Sequence, residues 1–168
     1  MKELTKAKYW IFDLDNTLYS GETKVFEQVN KKMSKYISKK LNISIIEAKK
    51  IQKSYFYKFN TTLNGMIKNH QIDANEFLDF VHDVDIDFLK EDRKLNNELK
   101  KLNGKKIIFT NGSRKHAQNV TKRLGIDRCF DAIFDIVDSE FIPKPSMEPY
   151  KKLINKHKID PNLCVFIE

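Results

Sequence analysis

Apolar positions recur along this chain in two rhythms, and the change from one to the other divides it. Tyr9-Trp10-Ile11-Phe12 is an unbroken apolar run with no polar face, the pattern of a strand buried on both sides of a parallel sheet. Comparable runs follow in 106–109, 130–137 and 164–167. From about Tyr19 to Lys90 the rhythm is helical instead. Phe26, Val29, Met33, Ile37 and Leu41 fall at helix spacing, and Asn42 closes that run. Ser44 with Glu47 makes a capping box ahead of Ala48, Ile51, Tyr55 and Phe59, while Asp73 with Glu76 opens a further helix carrying Phe77, Phe80 and Val81. The intervening stretch 60–66 is polar and predicts a loop followed by a short helical turn.

Beyond residue 90, helices and strands alternate. Leu95, Leu99 and Leu102 lie on one side of a helix that closes at Asn103-Gly104; a second helix runs from about Arg114 to Leu124 and stops at Gly125; a third is capped by Ser146 and carries Tyr150, Leu153 and Ile154. Asp160-Pro161 turns the chain into the last strand. This alternation predicts an α/β fold with a Rossmann-like parallel sheet. The expected organisation is a discontinuous core, 1–18 and 91–168, with 19–90 inserted as an α-helical cap.

The candidate chemistry sits where the first run ends. Asp13 and Asp15 are two apart, so in extended chain they share a face at the carboxyl end of a buried strand, where open parallel sheets bind ligands. Two carboxylates there need compensation by a divalent cation or by protonation of one of them. An ionised Asp can attack phosphorus to give an aspartyl phosphate, and a neighbouring carboxyl can protonate the leaving oxygen and later take a proton from water. Asp13 suits the first role and Asp15 the second. An isolated D-x-D is otherwise an ordinary strand end with an Asx turn.

Composition narrows the classes. The chain has 168 residues, 40% hydrophobic and 32% charged, and a formal charge of +8. The lysines are interleaved with acids and apolar positions along helices, and no helix-turn-helix or aromatic-basic motif stands out, so no stable nucleic-acid partner is expected. No membrane-length apolar run or signal-peptide region occurs, and two cysteines without metal-ligand spacing suit a reducing compartment; a cytoplasmic location is expected. The histidines at 70, 82, 116 and 157 read as polar surface or capping residues, with His116 nearest the proposed site by sequence.

Asp13-Leu14-Asp15-Asn16-Thr17-Leu18 after a buried strand resembles the first motif of the haloacid dehalogenase (HAD) phosphatase superfamily. The later motifs follow in order: Thr110-Asn111-Gly112 after the second strand, Lys144 between Pro143 and Pro145, and Glu168 at the end of the last strand. The resemblance implies a HAD-like core with catalytic Asp13, Asp15, Thr110 and Lys144. Phosphate would be held by the Thr110 hydroxyl and the amides of Asn111 and Gly112. It also implies Mg2+ held by Asp13, Asp15 (through its backbone carbonyl) and Glu168. In the family an acidic pair ends the last strand and further elements follow. The core therefore reads as truncated, with weakened magnesium binding and low turnover expected.

The runs 57–65 and 81–85 and the segment Ile108-Phe109-Thr110-Asn111-Gly112-Ser113 with His116-Ala117 are similar to the pyrimidine 5′-nucleotidase group of that superfamily. This implies hydrolysis of nucleoside monophosphates such as UMP and CMP. Tyr55, Tyr57 and Phe59 would stack the base and Thr62 or Asn64 would bond its edge, although these aromatics suit the core of the cap better. The alternatives are a HAD phosphatase for a sugar phosphate or phosphoglycolate, and a truncated, weakly active binding module. Dehalogenase chemistry is disfavoured, because Asp15 and the acidic strand end serve a metal-dependent phosphatase.

Overall fold

The structure, a computed structural model, describes residues 6–168; the first five residues of the expected core lie outside the described residues. Four parallel strands form one sheet: β1 (Tyr9–Phe12), β2 (Lys105–Phe109), β3 (Ala132–Phe134) and β4 (Cys164–Ile167), in the spatial order β3-β2-β1-β4. β1 is central, with Phe12 opposite Ile108 of β2 on one side and Ile167 of β4 on the other.

Alternation of side chains divides the apolar runs between the two faces. On one, Trp10, Phe12 and Ile108 pack with Leu99 of α5 (Arg93–Lys101) and with Ala117 and Val120 of α6 (Arg114–Arg123). On the other, Ile11, Ile107, Phe109 and Phe134 pack with Leu153 of α7 (Met147–His157). Burial on both sides is why these strands carry no polar face. Gly104, at φ +100°, makes the turn into β2, and a Cβ there would come within 2.4 Å of the Lys8 carbonyl oxygen.

Helices α1 (Val25–Leu41), α2 (Ile45–Phe59), α3 (Thr62–His70) and α4 (Ala74–His82) share a separate core of Val29, Ile37, Ala48, Leu63, Met66, Phe77 and Val81. Ile136, from just beyond β3, inserts into it and joins the helices to the carboxyl end of the sheet. The Ser44–Glu47 capping box forms as expected. No helix among the described residues is long and apolar enough to cross a membrane.

Two elements depart from the sequence reading. Residues 62–70 form a complete helix where a polar loop over 60–66 followed by a short helical turn was expected: the Thr61 hydroxyl caps it by accepting from the Asn64 amide, and its buried face includes the small residues Thr62 and Gly65 beside Leu63 and Met66. A Cβ on Gly65 would stand 2.4 Å from Tyr55 Cγ, so glycine permits α2 and α3 to meet. β3 is also shorter than the 130–137 run. After Phe134 the buried Asp135 carboxylate accepts from the amides of Arg114 and Asp138 at 2.7 and 3.0 Å, which folds the chain away from the sheet.

Candidate active site

Asp13 continues the β1–β4 ladder, its amide donating to the Ile167 carbonyl at 2.9 Å. The chain then leaves the strand. Thr17 and Leu18 both donate to the Leu14 carbonyl, and Asn16 takes a left-handed φ of 62°, a conformation asparagine tolerates better than most residues. The turn presents Asp13 and Asp15 to one cavity but gives them different partners.

Asp13 Oδ1 accepts from Lys144 Nζ at 2.9 Å, and the same ammonium donates to Glu168 Oε1 at 3.0 Å. Lys144 is buried, and its charge lies over the rings of Phe109 and Phe166, 5.2 and 5.6 Å from their centroids. Asn111 fixes the lysine's backbone, accepting from its amide at 2.8 Å and donating to its carbonyl at 3.3 Å. Burial raises the pKa of Asp13, against the charge and hydrogen bond of Lys144, which lower it.

Asp15 Oδ1 instead accepts from the Tyr19 hydroxyl and pairs with His116 Nε2 at 2.8 Å. Burial alone would raise its pKa, but the hydrogen bonds from His116 and Tyr19 and the charge of His116 outweigh burial and hold the carboxyl below its usual range. Tyr19 is pushed far up by burial and by the adjacent Asp15, so it stays a donor. His82 stacks on His116, with centroids 4.5 Å apart and planes 14° from parallel, and its Nδ1 lies 3.0 Å from Ser113 Oγ. Burial, and then the charge of His116, push His82 down to about 3, so it is neutral at physiological pH.

A cavity of about 780 Å³ opens above these groups. Its floor is Asp13, Asp15, His82, Thr110, Asn111, Gly112, Lys144 and Glu168; α1 and α2 supply Asn30, Ser34, Gln52, Phe56 and Tyr57 to its wall, with Lys31, Lys49 and Lys53 also lining it. Gly112 keeps the floor open: a Cβ there would lie 3.3 Å from Thr110 Oγ1, 3.5 Å from His82 Nε2 and 3.6 Å from Asp15 Oδ2. The structure thus brings together Asp13, Asp15, Thr110, Asn111, Gly112, Lys144, Glu168 and Thr62 around one space.

Several expectations need correction. The Gly112 amide is taken by Thr110 Oγ1 at 2.9 Å, so it is not a free phosphate donor, whereas the Thr110 hydroxyl still has its proton to give. The side chain of Asn111 serves as a strut for Lys144. Asn64 does not line the cavity: its amide donates to the Phe59 carbonyl at 3.0 Å and closes the end of α2. Tyr55 is tied to His70, 2.7 Å from Nε2, and Phe59 packs edge-on against Tyr55. The aromatics that line the cavity are Phe26, Phe56 and Tyr57, of which Phe56 and Tyr57 are 56% and 72% exposed.

Sequence reasoning missed Tyr19, His82 and His116. Tyr19 follows Asp15 by four residues and His116 lies one turn into the helix after the Thr110 loop, so both were within reach of a local argument. Nothing in the sequence places His82 against Ser113, a contact 31 residues apart.

For a divalent cation, the Asp13 and Glu168 carboxylates offer the hard oxygen donors that magnesium prefers. Asp15 Oδ1 is taken by His116 and Tyr19, so from that residue the backbone carbonyl, as the resemblance implies, is the donor left without a competing partner on Oδ1, while Oδ2 faces the space beside Gly112. Among the described residues no group of three His, Cys, Asp or Glu side chains is gathered as a metal centre. The donor chemistry therefore fits magnesium, with oxygens of a substrate phosphate and water needed to complete the shell.

A family model described as haloacid dehalogenase-like hydrolase matches residues 8–168. Phosphate metabolism protein 8 of Saccharomyces cerevisiae is 36% identical over 154 residues, covering 82% of this chain and 48% of that protein, so the chain spans about half the length of this relative. A HAD phosphatase from Thermococcus onnurineus superposes with a TM-score of 0.55 at 21% identity, over 95% of this chain and 75% of its own. An L-2-haloacid dehalogenase from Xanthobacter autotrophicus, with chloropropionic acid covalently bound, superposes with a TM-score of 0.53 at 18% identity, over 95% and 69%. At these identities the two structures speak for the fold alone.

Proposed function

The chain belongs to the haloacid dehalogenase-like hydrolases, and from that premise we propose that it is a magnesium-dependent phosphomonoesterase acting on nucleoside 5′-monophosphates through an aspartyl phosphate. The observation that carries the reading is the split between two neighbouring carboxylates: Asp13 lies against Lys144 and the cavity, while Asp15 lies against two hydrogen-bond donors. Groups pushed to different proton affinities are how one site assigns a nucleophile and an acid/base.

An oxygen of Asp13 attacks phosphorus, the bond from phosphorus to the alcohol oxygen breaks, and Asp15 gives that oxygen a proton. Asp15 is ionised in the free protein, and a phosphate dianion entering beside it adds like charge that raises its proton affinity. Water then attacks phosphorus, Asp15 takes its proton, and the bond to Asp13 breaks to release inorganic phosphate. Thr110 donates to a phosphoryl oxygen, and Lys144 offsets negative charge on Asp13 and the phosphoryl group. Magnesium, held by Asp13, the Asp15 carbonyl and Glu168, would supply further positive charge at the phosphoryl oxygens. Segment 19–90 acts as a cap over the core 1–18 and 91–168, keeping bulk water from the acyl phosphate.

The nucleotide reading is supported by the likeness to the pyrimidine 5′-nucleotidase group and by the wall of the cavity. Phe56 and Tyr57 present exposed rings there, and Asn30 and Gln52 present amides, a combination that suits a flat base with a polar edge. Hydrolysis of UMP, CMP, a sugar phosphate and phosphoglycolate with magnesium, by wild type and Asp13→Asn, tests this. The wild type should prefer the nucleotides and Asp13→Asn should be inactive. Phe56→Ala should raise KM for nucleotides while leaving phosphoglycolate unaffected. Full activity of Asp13→Asn overturns the nucleophile assignment, and a preference for phosphoglycolate overturns the substrate.

A further inference from the structure

The acid/base role of Asp15 gives no reason for a buried imidazole, His116, with a second, half-buried one, His82, stacked on it. His116 is 2% exposed, and its Nε2 is spent on Asp15 Oδ1 at 2.8 Å. Its ring is confined from above by His82, stacked at 4.5 Å, and its backbone amide donates at 3.3 Å to Ser113 Oγ. The same Ser113 Oγ lies 3.0 Å from His82 Nδ1. The contacts therefore close a loop: Asp15 to the His116 ring, His116 to His82, His82 to Ser113, and Ser113 back to the His116 amide. Asp15, Ser113 and His116 belong to the sheet and its following helix, whereas His82 is the last residue of α4.

We propose that His116 is a positioning residue that fixes the orientation of the Asp15 carboxylate, and that His82 completes the device from the helical segment by holding the His116 ring. The proposal rests on the reading of Asp15 as acid/base. A carboxylate free to rotate about its side-chain bonds spends only part of its time aimed at a leaving oxygen, and small misplacements of a reacting group are costly. Tyr19 and His116 both engage Oδ1, which leaves Oδ2 directed toward the open space beside Gly112, 3.6 Å from where a Cβ would stand. Without α4 in place the His116 ring loses its stacking partner. The orientation of the acid then depends on the docking of the helices.

The alternative is that the imidazole pair merely fills the interior. Steady-state kinetics on a double-mutant cycle separates the two. His116→Ala should lower kcat about 10- to 100-fold with KM nearly unchanged, and His116→Gln, which keeps an N–H donor on a chain of similar reach, should recover most of that loss. His82→Ala should give a smaller fall of the same kind. In an Asp15→Asn background, His116→Ala should cause no further loss. An equal fold-loss in both backgrounds overturns the proposal, as does an Ala variant that matches the wild type. Nitrogen-15 NMR of the imidazoles, without substrate, provides a second reading that also survives poor folding of the Ala variants: Asp15→Asn should move the ring-nitrogen resonances of His116, and unmoved resonances overturn the contact. If the wild type hydrolyses no phosphate ester, the phosphatase reading falls by itself and the NMR result alone decides whether His116 holds Asp15.

Discussion

Removing the ammonium of Lys144 perturbs the centre at its most connected point. Its Nζ stands 2.9 Å from Asp13 and 3.0 Å from Glu168, and its side chain is 5% exposed. The Glu168 side chain is 55% exposed, so water replaces the lysine there at a cost on the order of 0–1 kcal/mol. Asp13, at 18%, has less water to turn to. Unit charges about 4 Å apart attract by about 4 kcal/mol at an effective dielectric constant of about 20, and Lys144→Met removes that attraction while sparing the desolvation of the ammonium. Losing one partner of a buried pair costs about 3–5 kcal/mol. The lower end applies here because Asp13 reaches the cavity and escapes part of the penalty by taking a proton. A loss of about 3 kcal/mol at neutral pH corresponds to a fall in Tm of about 6–12 °C for a domain of this size. The pH dependence has a definite sign. The folded pKa of Asp13 lies above its unfolded value, so its burial is harmless below the unfolded value and becomes a growing cost as pH rises through the folded one. Lys144 offsets that cost only where Asp13 is ionised. Calorimetric melts should therefore show the gap between wild type and Lys144→Met widening from acid to neutral pH. Phosphate-ester hydrolysis at neutral pH should fall about 100-fold or more. A gap that stays constant across the acid range, or a Met variant as stable as the wild type at neutral pH, refutes the pairing.

Two glycines give sharper local tests. Gly112→Ala places a methyl 3.5–3.6 Å from His82 Nε2 and Asp15 Oδ2 and 3.3 Å from Thr110 Oγ1, a tight approach that requires the threonine hydroxyl to shift by a few tenths of an ångström, and it fills the floor of the cavity; KM for phosphate esters should rise about 10-fold, and unchanged steady-state constants would place the phosphoryl group elsewhere. Gly65→Ala drives a methyl to 2.4 Å from Tyr55 Cγ and should cost about 1–3 kcal/mol in urea unfolding, a loss that shrinks when Tyr55→Leu makes room; equal losses in both backgrounds would count against the α2–α3 contact.

The parts legible in the sequence were those written locally. Four apolar runs gave the four strands; in β1 and in the second half of β2, burial on both faces is what removes polar residues from consecutive positions. The Ser44–Glu47 capping box, the Asp73 cap and the helix stripes likewise depend on residues within a turn or two of each other. The full length of helix α3 escaped because its buried face mixes Thr62 and Gly65 with Leu63 and Met66, which breaks the apolar stripe, and the reason for the glycine, the ring of Tyr55, lies on another helix. The same distinction runs through the candidate site. The spacing of Asp13 and Asp15 was enough to bring them to one strand end and to suggest Asp13 as nucleophile and Asp15 as acid/base, but it could not show what sets the two side chains apart. Their environments do, and the deciding partners are distant: Lys144 is 131 residues from Asp13, and His116 is 101 from Asp15. The difference between the surroundings of the two carboxylates is therefore a property of the folded chain. It depends on a loop after β3 and a helix after β2 arriving on opposite sides of one turn, and any variant that lets either partner drift should blur the two aspartates into one another before it unfolds the sheet beneath them.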